Sequence, residues 1–163
     1  MKGLDFLVKL AGTWQGVNKL WLPPTETPYE SASVATLTPV IKGKFVRLDY
    51  TWAFEGEPQE GCLLFGYEAE AAGASTVWVD SWHMGDKVML CRGQLKAEGG
   101  LDVRGSYAVP DNPDWGWRIV VELGEGEVWR IVMYNVSPEG EEFPGVEASY
   151  RRVSDLLGSG KPG

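Results

Sequence analysis

From Gly12 to Val153 the hydrophobic residues of this chain alternate with polar ones at a period of two, and turn-forming residues cut the alternation at near-regular intervals. That pattern restricts the fold more than any other feature, because successive side chains of a strand point to opposite faces. The alternating runs are 13–22, 30–41, 44–54, 60–69, 75–84, 87–96, 101–108, 117–124, 127–137 and 146–153. Between them lie Pro23-Pro24, Lys42-Gly43, Glu55-Gly56-Glu57-Pro58, Ala72-Gly73, Gly85-Asp86, Glu98-Gly99-Gly100, Pro110 to Pro113, Gly124 to Gly126 and Pro138 to Gly140. These are the residue types that turns select. Strands joined by short turns, with no helices between them, pair as an antiparallel up-and-down sheet. An open sheet of about ten strands leaves two unpaired edges, and closure into a barrel removes them. The sequence therefore predicts an all-β fold, a single antiparallel up-and-down β-barrel of about ten strands. It forms one domain over 1–153, and residues 154–163 are expected to be a flexible C-terminal tail.

A short helix is expected ahead of the barrel. Leu4, Leu7, Val8 and Ala11 fall at helical spacing, Phe6 and Leu10 widen the stripe, and Gly12 ends it. About two turns are not stable alone, so this helix must dock, as a cap on a barrel end.

The densest chemistry lies in Val77-Trp78-Val79-Asp80-Ser81-Trp82-His83-Met84-Gly85-Asp86, which holds two of the eight Trp and the single His. Gly85-Asp86 fits a two-residue hairpin turn. In that register residue 84 faces 87 and residue 82 faces 89, and two faces follow. Trp78, Asp80, Trp82, Met89 and Cys91 share one. Val77, Val79, Ser81, His83, Val88 and Leu90 share the other. Met and Cys are usually found inside, so the first face is expected inward, with His83 outward or at the rim.

The same alternation puts Tyr50 and Trp52 on one face of 44–54, Trp129, Met133 and Asn135 on one face of 127–137, and Tyr150 on one face of 146–153. A barrel of about eight strands is filled by side chains or holds one small ligand, so a wider one is expected to be hollow. Tyr50, Trp52, Trp78, Trp82, Met89, Trp129, Met133 and Tyr150 would then wall a ligand cavity, with Asp80, His83 and Asn135 as its polar groups. Aromatic walls with few polar groups suit a small apolar or aromatic molecule.

Charge and cysteine content narrow the partners. The formal net charge of -8 disfavours nucleic acid and an anionic membrane surface, both of which attract basic faces. Cys62 and Cys91 lie inside alternating runs rather than in a spaced framework, as reduced, buried thiols of a cytoplasmic protein do. The start Met1-Lys2-Gly3-Leu4-Asp5 opens no signal peptide, and no apolar run approaches a membrane span. The oligomeric state is not readable from the sequence.

Leu10-Ala11-Gly12-Thr13-Trp14-Gln15-Gly16, directly after a short helix, resembles the Gly-x-Trp opening of calycins, the superfamily of lipocalins, fatty-acid-binding proteins and nitrobindin-like haem barrels. With Gly43-Lys44-Phe45, Glu60-Gly61, Trp78-Val79-Asp80-Ser81-Trp82-His83, Met133-Tyr134-Asn135 and Glu147-Ala148-Ser149-Tyr150-Arg151-Arg152, nearly the whole chain resembles the DUF1579 family of calycin-like proteins. The resemblance implies a lipocalin-like barrel and no particular activity. It also implies an Arg of the last strand packed against the Gly-x-Trp indole, here Arg151 or, preferably, Arg152 against Trp14, in a structural role.

Alternative chemistries are fewer. One His and two Cys fall short of a structural zinc site, so no metal is expected. Haem is the one cofactor to weigh, with His83 as axial ligand. The nitrobindin-like barrels supply their ligand from near the C-terminus, where this chain has no His. Asp80 among Trp78 and Trp82 invites a general-base reading, and an enzyme acting in the same cavity would use Asp80, His83 or Tyr150 for proton transfer. The plainer reading is a hydrogen-bonded Asp that fixes the hairpin. No nucleophile elbow surrounds Ser81 and no phosphate-binding loop is present, so no catalytic residue is assigned.

Overall fold

The computed structural model describes residues 3–153. Met1, Lys2 and the tail expected from 154 onward lie outside the described residues. The elements are α1 (Asp5–Val8), β1 (Gly12–Leu20), β2 (Tyr29–Val40), β3 (Phe45–Phe54), β4 (Glu57–Glu68), β5 (Gly73–Asp80), β6 (Met89–Leu95), β7 (Gly100–Val109), β8 (Asn112–Leu123), β9 (Val128–Val136) and β10 (Glu142–Arg152). Each strand pairs antiparallel with its chain neighbours, and β1 closes on β10 from Trp14↔Arg152 to Leu20↔Val146. The result is one closed ten-stranded barrel, so no strand edge is left unpaired.

Up-and-down order sorts the connections to two ends. One end carries α1, the start of β1 and the end of β10, and it is closed. The other carries the β1–β2, β3–β4, β5–β6, β7–β8 and β9–β10 connections, and it is open.

At the closed end the helix is shorter than its stripe suggests. It is a single turn in which Leu4, Phe6 and Leu7 are buried while Val8 is 38% exposed. Leu10 N–H bonds to Leu7 O and Ala11 N–H to Val8 O, i→i+3 bonds that tighten the chain out of an α-helix. The Trp14 indole donates to Leu10 O at 2.8 Å. The Arg152 guanidinium lies 4.3 Å from the Trp14 ring centroid and donates to Ala11 O at 3.0 Å. One Arg thus ties the helix, the first strand and the last strand together, partly through a cation–π contact.

The interior is packed along most of its length. Leu48, Leu63, Phe65, Val103, Ile119 and Ile131 are buried, and so are Trp14, Trp129 and Tyr150. The void left among them is about 20 Å³, room for about one water. A hollow interior was expected because aliphatic side chains cannot span so wide a barrel. Here aromatic side chains span it, and the free space lies at the open end instead.

Three strands begin at least three residues earlier than the alternation places them. β4 starts at Glu57, β8 at Asn112 and β10 at Glu142. Pro58 and Pro113 read as breaks in sequence and Pro144 lies ahead of the expected run 146–153, but all three sit near strand starts, where a missing N–H is tolerated. β10 also carries a bulge between Pro144 and Val146. These extensions raise the wall of the open end. On the outer face Arg118 pairs with Asp102 and Glu142, and Glu122 with Lys96 and Arg130. No described helix is long and apolar enough to cross a membrane.

Candidate ligand-binding site

Asp80 ends β5 and is 3% exposed. A buried carboxylate is costly unless its oxygens are bonded. Here Oδ2 accepts from Tyr50 Oη at 2.6 Å and from Trp52 Nε1 at 3.2 Å. Oδ1 accepts the backbone N–H of Trp82 and of His83, both at 2.8 Å. Four donors fill its lone-pair positions. Met84 N–H also bonds to Asp80 O. Asp80 therefore turns the chain sharply out of β5, as Asp commonly does through its own following N–H groups.

This turn corrects the expected hairpin. β5 and β6 pair through Trp78↔Met89, Val77↔Leu90 and Thr76↔Cys91, so Ser81–Val88 forms a loop and Gly85-Asp86 is not a two-residue turn. Trp82 was expected opposite Met89, and Trp78 takes that place. The slip is four residues, an even number, so Trp78, Asp80, Met89 and Cys91 keep the inward face. Trp82 and His83 do not sit on a strand at all.

The loop turns the His83 ring inward past the end of the strand, at the open end of the barrel, where the sequence placed it outward or at the rim. Its ring packs on Trp52, Trp78, Trp82 and Trp117, with centroids 4.8 to 5.7 Å away. Trp78 and Trp117 stack across the interior at 5.2 Å and 8°. Burial lowers the His83 pKa from the usual histidine value, and the Asp80 carboxylate opposes that shift. The imidazole is therefore neutral at pH 7. Burial, then the Asp80 charge, holds the Tyr50 phenol well above its ordinary value, so it stays a donor. Tyr50 reaches Asp80 because Gly61 lies opposite it; a Cβ at Gly61 would overlap the Tyr50 ring and hydroxyl.

Above this layer a cavity of about 750 Å³ opens at the barrel end. Its walls come from the β1–β2 connection (Trp21, Leu22, Pro23), the β5–β6 loop (Trp82, Met84, Lys87, Val88) and the ends of β7, β8 and β10 (Tyr107, Trp115, Trp117, Phe143). Of the residues expected to bind ligand, Trp78, Trp82, His83, Met89 and Asn135 line it. Tyr50, Trp52, Asp80, Met133 and Tyr150 instead surround the small inner void, which Trp78 and His83 also border. Trp129 borders neither; it stacks on Tyr150 at 4.6 Å and meets Trp14 edge-on at 6.0 Å. Burial pushes the Tyr150 phenol up to about 12, and its hydroxyl bonds to Ser33 Oγ.

Sequence reasoning passed over Trp21, Lys87, Tyr107, Trp115 and Phe143. Trp115 continues the alternation of Trp117 and Ile119 backward by one step, a signal hidden by Pro113. Tyr107 is two residues past Gly105, whose missing side chain leaves room for Met89 and Cys91.

Metal and haem chemistry find little support in the donor set. Among the described residues no group of three or more His, Cys, Asp and Glu gathers to hold a metal ion. A histidine that ligates iron usually donates its second ring N–H to a fixed acceptor. Neither ring nitrogen of His83 has a hydrogen-bond partner among the described residues, and four indoles crowd the ring. His83 does not fit an axial haem ligand.

The match to known proteins is consistent with this architecture. The crystal structure of Rv2717c from M. tuberculosis is similar in fold, with a TM-score of 0.63 over 91% of this chain and 96% of that chain, at 13% identity. No curated protein matches the chain. The family model described as protein of unknown function (DUF1579) matches residues 4–152. The chain belongs to the DUF1579 family.

Proposed function

We propose that this protein binds one small molecule with an apolar or aromatic body in the cavity at the open end of its barrel. The observation that carries the reading is the cavity itself. Its volume of about 750 Å³ falls in the range of small-molecule sites, which are mostly apolar with a few placed polar groups. Trp78, Trp82, Trp115 and Trp117 supply flat surfaces, and Tyr107, Asn135 and His83 supply polar atoms. Burying the ligand drives binding, and the polar atoms orient it.

Asp80, in this reading, binds nothing from outside. It holds the loop that forms one wall, and Tyr50 and Trp52 hold it in turn. The reading also takes the protein as cytoplasmic, which the unbridged Cys62 and Cys91 support.

The test is a titration with the neutral fluorophore N-phenyl-1-naphthylamine, following its emission and the Trp emission together. The expected outcome is saturable one-to-one binding that weakens at least tenfold, about 1.4 kcal/mol, in a Trp82→Ala, Trp115→Ala double variant. Absence of saturation, or equal affinity in the variant, rejects the proposal.

A further inference from the structure

The charge distribution around the cavity says more about the ligand than its size does. The chain has 23 acidic side chains against 15 Lys and Arg, yet among the described residues no Asp or Glu lines the cavity. The one charged side chain in its wall is Lys87, which is exposed and makes no ion pair among the described residues. Asn135 adds a second donor. Tyr107 Oη donates to its Oδ1 at 2.6 Å, which fixes the amide so that Nδ2 is the free end, and Nδ2 has no acceptor among the described residues. The indole N–H of Trp117 also has no acceptor among the described residues, but it is buried beneath the cavity surface. Asp80 lies one layer below, with its oxygens already filled by four donors.

We propose, resting on the reading of this cavity as a ligand site, that the ligand is an organic monocarboxylate whose aromatic or apolar body lies among the indoles and whose carboxylate meets Lys87 and Asn135. The wall offers unpaired donors and one positive charge, and a carboxylate is an acceptor-only group of one negative charge. A cation would gain from the Trp faces but would meet Lys87 with no wall carboxylate to offset it. A phosphate monoester carries about two charges at pH 7 and finds a single cation in the wall.

Three probes of one shape separate these possibilities: 2-naphthoate, 2-naphthamide and 2-naphthylmethylammonium, titrated calorimetrically into the full chain at low salt. The expected order is naphthoate tightest, by about tenfold over naphthamide, with the ammonium weakest. Lys87→Gln, at an exposed side chain, brings naphthoate down to the level of naphthamide, and Asn135→Leu reduces the difference. Thermal unfolding of both variants confirms that they fold. If naphthamide binds as tightly as naphthoate, or the advantage survives in both folded variants, the carboxylate assignment is overturned while the cavity reading stands. If none of the three saturates, the cavity reading fails and takes the assignment with it.

Discussion

His83 shows how much a single residue depends on context that its neighbours in sequence do not reveal. Period two put it outward or at the rim; the structure turns it inward between four indoles. The cause is Asp80, whose carboxylate takes up the N–H groups of Trp82 and His83 and ends the strand early. The inward placement of Trp78, Asp80, Met89 and Cys91 was legible, because an even register slip leaves faces unchanged. Packing in an aromatic box also sets how His83 titrates. Its pKa is lowered by burial, so the folded state favours the neutral ring while the unfolded chain protonates near the ordinary value of about 6.5. Unfolding then takes up a proton as pH falls below about 6.5, and stability falls with it. As this is the single histidine, its ring proton resonance reports the midpoint directly. The expected midpoint lies below about 6.5, and a His83→Phe variant loses the corresponding slope of stability between pH 7 and 5. A midpoint at or above the ordinary value contradicts the packing described.

The Ser81–Val88 loop is the element on which the site depends, and its geometry was the least legible part of the sequence. Gly85-Asp86 is a good hairpin signal, but a local dipeptide preference is weaker than a buried carboxylate with four donors. The strand starts near Pro58 and Pro113 are hidden for a related reason: proline reads as a break, and the cost vanishes where the ladder needs no N–H; the start of β10 is hidden because Pro144 and its bulge interrupt the alternation. Those extensions hold Trp115 and Phe143, two of the aromatic residues of the cavity wall. The account makes Asp80 the anchor of the loop, so Asp80→Asn tests it. An amide nitrogen at the Oδ2 position faces the Trp52 indole N–H, which cannot turn away, although the Tyr50 hydroxyl can. One buried donor left unpaired costs about 1–3 kcal/mol. Denaturant unfolding of the variant is expected to show a loss in that range, with weaker binding of N-phenyl-1-naphthylamine. A loss below about 0.5 kcal/mol would show that the carboxylate does not hold the loop.

At the scale of the whole molecule the alternation was sufficient. Ten strands, antiparallel neighbours and closure through β1 and β10 follow from a period that runs unbroken by helix from Gly12 to Arg152. The contact of a last-strand Arg with Trp14 came from the resemblance, which left Arg151 and Arg152 both open, and Arg152 is the one that packs on the indole. What the sequence could not show is where the empty volume lies. Aromatic residues at inward positions can wall a cavity or fill it, and their spacing is the same in both cases. In this barrel Trp14, Trp129 and Tyr150 fill the closed end, and Trp78 and Trp117 form the floor of the open one. The eight tryptophans are therefore reporters of position. The most direct test of the binding proposal is a two-dimensional NMR titration of the 15N-labelled indole N–H groups with 2-naphthamide. Saturable shifts are predicted for Trp78, Trp82, Trp115 and Trp117, with Trp14 and Trp129 unmoved. Shifts centred on Trp14 and Trp129, or no saturable shift at any indole, would contradict it.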